Sequence, residues 1–306
     1  MIILGAGMAG CVAGILNPTA TLLEGSSTPP DNHNAVLRFR TDNISKVTGV
    51  PFRKVTVRKA IWYLGSFHQP NPLLANLYSK KVSGRISPRS IWNVDPVERY
   101  IAPPDFHMQL LNMLVGRIRY GAAVKKIDGE LIHLLDYAVE RVGQPIISTV
   151  PMPVMIGLVD KGVSMVGFHH QSIFTERWRV EDCDVHQTIY FPDPGSPLYR
   201  ATLTGGDLIL EGVNSQHLLD LAAVAFGIDM RTLKYIKGSE QKYGKIAPVD
   251  DSMRKKIMFD LTNNLHIYSL GRFACWRNIL LDDVYEDIFK IRRMLSQDAY
   301  DIRKEL

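Results

Sequence analysis

The 306-residue chain predicts an α/β fold, a parallel-sheet unit of the Rossmann kind with an antiparallel β-sheet inserted into it. Three observations predict it. Residues 1–24 read as strand, glycine turn, helix and strand. Residues 173–211 read as short strands separated by Asp-Pro-Gly and Gly-Gly turns. Residues 265–306 read as an apolar strand ending in glycine, then a long charge-laced helix. The outer stretches supply the α/β unit and the middle one an antiparallel sheet.

The opening stretch carries the sharpest signal. Residues 1–4 are an apolar run with the character of a buried parallel strand. Gly5-Ala6-Gly7-Met8-Ala9-Gly10 follows at once and matches G-x-G-x-x-G. Gly5 permits the tight turn, Gly7 lets a pyrophosphate approach the backbone, and Gly10 lets the helix over 8–16 sit close to the strand. The helix N-terminus adds free N–H groups and the positive end of its dipole. A second strand over 19–23 ends at Glu24, where a carboxylate can accept the hydroxyls of an adenosine ribose. The fingerprint in this context reads as a dinucleotide site. By itself it does not separate NAD from FAD.

Composition sets the frame. The chain is 46% hydrophobic and 22% charged, as globular proteins are, and its length fits two domains or one with an insertion. A net charge of +5 permits an anionic substrate or nucleic acid without requiring either. Cys11, Cys183 and Cys275 are scattered, with no metal spacing, which predicts buried thiols in a reducing, cytoplasmic setting. No run reaches the ~18 apolar residues of a membrane span. Residues 1–16 lack the basic start of a signal peptide.

The remaining elements follow in order. Residues 25–32 are a loop by composition. Between 33 and 60 lies a basic tract, Arg38, Arg40, Lys46, Arg53, Lys54, Arg58 and Lys59, opposed only by Asp42. It reads first as solvated surface, second as a phosphate contact, third as a nucleic-acid face. Residues 55–62 are partly strand-like, and 65–100 have weak periodicity with a short strand at 91–96. A helix is predicted over 105–115, strands over 117–120 and 122–127, a turn at Asp128-Gly129 and a return strand over 131–135. Residues 145–153 read as a buried strand ended by prolines, where the chain leaves one domain for another. Strands at 163–168, 173–180, 186–191, 199–203 and 207–211, with a helix over 216–226, make the predicted sheet of 154–245. Asp250-Asp251 is read as a helix cap, and a final helix runs over 282–306. At most one of His169 and His170 can face a site, because neighbouring strand residues point to opposite faces. His68, His107 and His186 lack partners at ligand spacing, so no metal is expected.

Residues 270–284, Leu-Gly-Arg-Phe-Ala-Cys-Trp-Arg-Asn-Ile-Leu-Leu-Asp-Asp-Val, run from strand through loop to a helix start. This stretch resembles the closing motif of UDP-galactopyranose mutase and related amine-oxidase-like flavoproteins. In that family a Gly-Arg-Leu segment and an aromatic lead into an Asp-Met-Asp-Gln helix start that covers the flavin. Gly271 and Arg272 match the Gly-Arg, and Trp276 stands at the aromatic. Leu281 and Asp282 match the Met-Asp, which approaches the flavin pyrimidine edge through backbone N–H. Residues 145–153 look like the family's S/T-x-P strand. Residues 190–200, Tyr-Phe-Pro-Asp-Pro-Gly-Ser-Pro-Leu-Tyr-Arg, are similar to the mutase strand whose arginine lies near the substrate diphosphate. The resemblance spans both ends and some internal strands. It departs where the family has an Arg-x-Gly-Gly loop, since 26–37 holds no such pair, and the chain is shorter than the mutases.

The resemblance implies FAD as cofactor, with Gly5, Gly7, Gly10 and Glu24 at the adenosine half and Arg272 near the pyrophosphate or ribityl chain. Gly271, Leu281 and Asp282 would lie on the flavin side, and Tyr199, Arg200 and Trp276 are the substrate candidates. The flavin carries the chemistry, so no catalytic side chain is assigned. The implied division is a discontinuous cofactor domain (1–60, 100–153, 246–306), an insertion (61–99) and a substrate domain (154–245). Three activities stay open: an FAD-dependent oxidoreductase on a small polar or anionic substrate, a mutase-like non-redox enzyme on a nucleotide sugar, or a flavoprotein that binds or modifies nucleic acid or nucleotides. A plain NAD-dependent dehydrogenase is a minor fourth.

Overall fold

The structure is a computed structural model, and it describes residues 1–29, 36–87, 91–129, 131–136, 138–141, 144–159 and 167–295. Five parallel strands form its base, in the order Ile267–Ser269, Ile146–Ser148, Ile2–Leu4, Thr21–Leu23, Ile118–Arg119. The first strand is central. The chain continues to one side of it through Thr21–Leu23 and later returns to the other side through Ile146–Ser148, which makes a topological switch point. The first helix, Met8–Leu16, has no charged residue and is buried between the sheet, the helix Phe106–Met113 and the last helix, Leu281–Met294. A small side hairpin, Val124–Asp128 with Leu131–Leu134, adds Val139–Arg141 as a third strand.

The second sheet has nine strands. Along its path lie Lys234–Ile246, His170–Arg179, Asp207–Gly212, Leu198–Thr204, His186–Tyr190, Arg53–Tyr63, Val97–Ile101 and Arg38–Phe39, with Ser66–His68 paired beside Arg53–Tyr63. Neighbours are antiparallel except His186–Tyr190 with Arg53–Tyr63. The sheet curls. Arg38 in the terminal strand donates to Thr188 Oγ1 and to the Leu203 carbonyl, both at 2.9 Å, three and four strands away.

The fold class is the predicted one, and several elements differ. No strand forms at 91–96; the strand there is Val97–Ile101. The edge strand Lys234–Ile246 is lysine- and glycine-rich and largely exposed, so it has no apolar period to reveal it. After Ser148 the prolines start a helix, Met152–Val159, because proline suits a first helical turn. Pro72–Ser83 is another unread helix, capped by Asn71, whose side chain accepts the Leu74 N–H at 3.0 Å. Asp250 does cap a helix, Asp251–Leu265, accepting the Met253 N–H at 3.0 Å. The predicted strand piece 163–166 and the helix end 296–306 lie outside the described residues.

Candidate functional site

The carboxyl ends of the parallel strands meet the glycine turn. Gly5 has φ +95°, and a Cβ there would stand 2.4 Å from Thr149 Oγ1, so the turn requires glycine. A Cβ on Gly10 would fall 2.0 Å from the Gly5 carbonyl oxygen. Nothing stands within 4 Å of the Cβ position at Gly7, which begins the helix with no side-chain cap and no acidic residue in the first turn. Free N–H groups and the positive dipole end at such a helix start can meet an anion. Glu24 lies beside them: Oε2 accepts the Ala6 N–H at 2.7 Å and Oε1 the Ser26 N–H at 3.0 Å. Behind the turn, His107 Nε2 donates to the Ala6 carbonyl at 3.0 Å. Burial holds His107 below the usual histidine value, so the ring is neutral with its proton on Nε2.

The C-terminal segment closes on the same place. At Gly271, φ is +91° and a Cβ would stand 3.0 Å from Ala9 Cβ in the first helix. Arg272 Nη2 donates to the Gly244 carbonyl at 3.2 Å, tying this loop to the curled sheet. Leu281 opens the last helix. Asp282 is buried, and its Oδ1 accepts the N–H groups of Arg40 and Thr41, both at 3.0 Å. Asp283 accepts the Leu280 N–H at 2.7 Å and pairs with Arg40. Both carboxylates are thus engaged structurally, which leaves backbone N–H as the helix start's means of meeting a ligand. Trp276 is only 2% exposed, donates to the Ala247 carbonyl at 3.0 Å and packs edge-on against Phe168 and Tyr243. It anchors the loop.

Opposite lies the inner face of the curled sheet. Strand register arranges its side chains in rows: Tyr190, Arg200, Glu211 and Thr175; then Thr188, Thr202, Ile209 and Arg177; then His186, Thr204, Asp207 and Arg179. Thr175, Arg177, Thr188, Thr202, Asp207 and Glu211 are buried. The other face carries Ile189, Ala201, Leu203, Leu208 and Leu210, closed by the helix Leu218–Phe226. A bulge between Leu198 and Arg200 lets both Tyr199 and Arg200 reach Glu211, Tyr199 Oη at 3.1 Å and Arg200 Nη2 at 2.6 Å. Burial opposes ionisation of Glu211, but Arg200 overrides it and holds the carboxyl below its usual range.

A cavity of 240 Å³ opens at the first row, lined by Tyr78, Arg85, Tyr190, Arg200, Lys245, Arg272 and Asn278, among others. Two residues singled out from sequence, Arg200 and Arg272, meet here. Tyr199 does not line it; the ring is fully buried, with Lys245 Nζ 4.7 Å from its centroid. The helix Pro72–Ser83 roofs the cavity. Its Lys81 donates to the carbonyls of Phe191, Asp193 and Leu198 at 2.9, 2.7 and 2.5 Å.

No sequence pattern marks Arg85, Lys245 or Tyr190 as cavity residues, and Arg38 reads first as solvated surface. Arg38 is instead largely enclosed by the curl, and burial followed by Arg200 lowers its pKa to about 10. Arg40, Lys46, Arg53 and Lys54 pair with Asp283, Asp42, Asp184 and Glu98, so four cations of the basic tract stand in separate ion pairs. His170 lies beside Tyr243, ring centroids 4.6 Å apart.

No family model matches the chain. A search of curated proteins finds no match either. Solved structures do match. A reduced UDP-galactopyranose mutase superposes with a TM-score of 0.70 at 15% identity, over 96% of this chain and 93% of that one. An oxidoreductase from Methanosarcina mazei gives 0.57 at 9% identity, over 95% and 99%. A putative FAD-containing monooxygenase from Photorhabdus luminescens subsp. laumondii gives 0.52 at 12% identity, over 99% and 92%. Among the described residues no helix is long and apolar enough to cross a membrane. The chain has the fold of these proteins, a parallel-sheet unit facing a curled antiparallel sheet.

Proposed function

We propose that the chain is an FAD-dependent enzyme acting on a small anionic substrate. One observation carries this reading: the glycine turn and the Gly271 loop, distant in sequence, close on each other at the strand ends. Gly5, Gly7 and Gly10 would hold the pyrophosphate, and Glu24 would exchange its contacts with Ala6 and Ser26 for ribose hydroxyls. Backbone N–H groups at Leu281 and Asp282 would meet the pyrimidine edge. Bound there, FAD would supply hydride or electron-pair chemistry at its ring system. Arg200, Arg272, Lys245 and Arg85 would bind the substrate's anionic group. The roof helix Pro72–Ser83 would keep water from the bound substrate.

The proposed division puts the cofactor on 1–60, 100–153 and 246–306 and the substrate on 154–245, with 61–99 inserted. The strands Arg53–Tyr63 and Val97–Ile101 carry the curled sheet across the boundaries at 60 and 99. A second reading, non-redox chemistry on a nucleotide sugar, is favoured by the four cations around one cavity, which suit a diphosphate. Consumption of NAD(P)H or production of peroxide in the presence of substrate supports the oxidoreductase. Turnover of a nucleotide sugar only after dithionite reduction supports the mutase-like enzyme. A protein that neither contains nor rebinds FAD sinks both.

A further inference from the structure

A second cavity lies at the opposite end of the curled sheet's inner face, at the row of His186, Thr204, Asp207 and Arg179. Its volume is 360 Å³. The residues around it divide into two halves. One is apolar: Val36, Leu37, Pro51, Ile101, Pro103 and Pro104. The other is cationic: Arg53, Arg177 and Arg179, with His186 between. The cations outnumber their partners, because Asp184 pairs with Arg53 while Asp207 is shared by Arg177 and Arg179. Arg177 is 8% exposed, and its Nε has no hydrogen-bond partner among the described residues. Burial, then Arg53 and Arg38, hold His186 below the usual histidine value, so it supplies no further charge near neutrality.

We infer that this cavity binds a small organic monoanion, one carboxylate on an apolar body, at a site separate from the Arg200–Arg272 cavity. Size and charge select that class. At about 30 Å³ per water-sized group the volume suits a ligand of about a dozen non-hydrogen atoms. An excess of positive charge matches an anion, and planar guanidiniums recognise a carboxylate through paired N–H donors. The apolar half gains by covering hydrocarbon and gains nothing from a fully hydrated ion.

The test is a calorimetric titration of the purified full chain with benzoate, repeated with inorganic phosphate. It does not depend on whether flavin is bound. Benzoate is expected to bind with a Kd of about 1 mM, the range open to so small a ligand. Arg179→Gln, at a half-exposed position where folding should survive, is expected to weaken it about tenfold, the loss of one charge-assisted contact. Arg85→Gln, at the other cavity, should leave it unchanged. Three results would overturn the inference: no benzoate binding at about 20 mM, well above that expected Kd; equal binding by Arg179→Gln and the native chain; or phosphate binding as tightly as benzoate, which would show that the apolar half takes no part.

Discussion

The curled sheet has two buried faces built in opposite ways. The outer one is leucine, isoleucine and alanine under the helix Leu218–Phe226, and burial of apolar surface accounts for it. The inner one is threonine, arginine, aspartate and glutamate. Folding alone does not account for that choice, because well-packed apolar groups commonly stabilise as much as a buried ion pair or more. The outer face serves stability. The inner face carries the side chains that line both proposed binding cavities, at some cost to stability.

The largest expected effect comes from splitting an inner pair. Asp207→Leu strands Arg177 in the interior and should cost about 3–5 kcal/mol in denaturant unfolding. The double variant Arg177→Met/Asp207→Leu should recover most of that loss. If the double variant is as unstable as the single, the pair is structural and the contrast between the faces fails.

On the outer face, Leu210→Ala should cost about 2–5 kcal/mol through the cavity it leaves, with no compensating second change. Lys81→Met tests the roof of the first cavity. Three carbonyls lose the ammonium donor, with Asp193 keeping the Ser196 N–H at 3.3 Å, so a loss of about 1–3 kcal/mol is expected, with faster hydrogen exchange confined to Pro72–Ser83 and the turn 191–198.

The smallest effect is the acid response. His107 and His186 are both held below their usual value, chiefly by burial, so the unfolded chain binds protons that the folded chain does not. Stability from these two groups is complete above about pH 6.5 and is lost as the pH falls through their lower folded values. Melting curves between about pH 5 and 8 should show this slope. In His107→Gln it should be shallower; an unchanged slope would rule out the neutral ring behind the glycine turn.

The contrast between the faces also explains what the sequence revealed. The glycine turn was legible because its requirements are local: one glycine at φ +95°, another against a carbonyl, a carboxylate after the next strand. The Gly271–Asp282 segment was legible as a motif, but its contact with Ala9 depends on the whole chain being folded. The inner face was half legible. Alternation in His186–Tyr190, Leu198–Thr204 and Asp207–Gly212 separates polar from apolar positions, yet which rows align is set by pairing between distant strands. Tyr199 and Arg200 should point apart by alternation, and a bulge brings both to Glu211. Arg38 looked like one more surface cation because nothing local encodes the curl that encloses it. Trp276 drew attention by its place in a motif, and its burial shows a packing role.

The most direct test of the central claim is FAD binding itself, read from the visible spectrum of the purified chain before and after incubation with FAD and gel filtration. The account predicts flavin bands that stay with the native protein. It predicts their loss in Gly10→Val, whose side chain would collide with the Gly5 carbonyl. A native protein that retains no flavin, or a Gly10→Val variant that retains it equally well, would contradict the account.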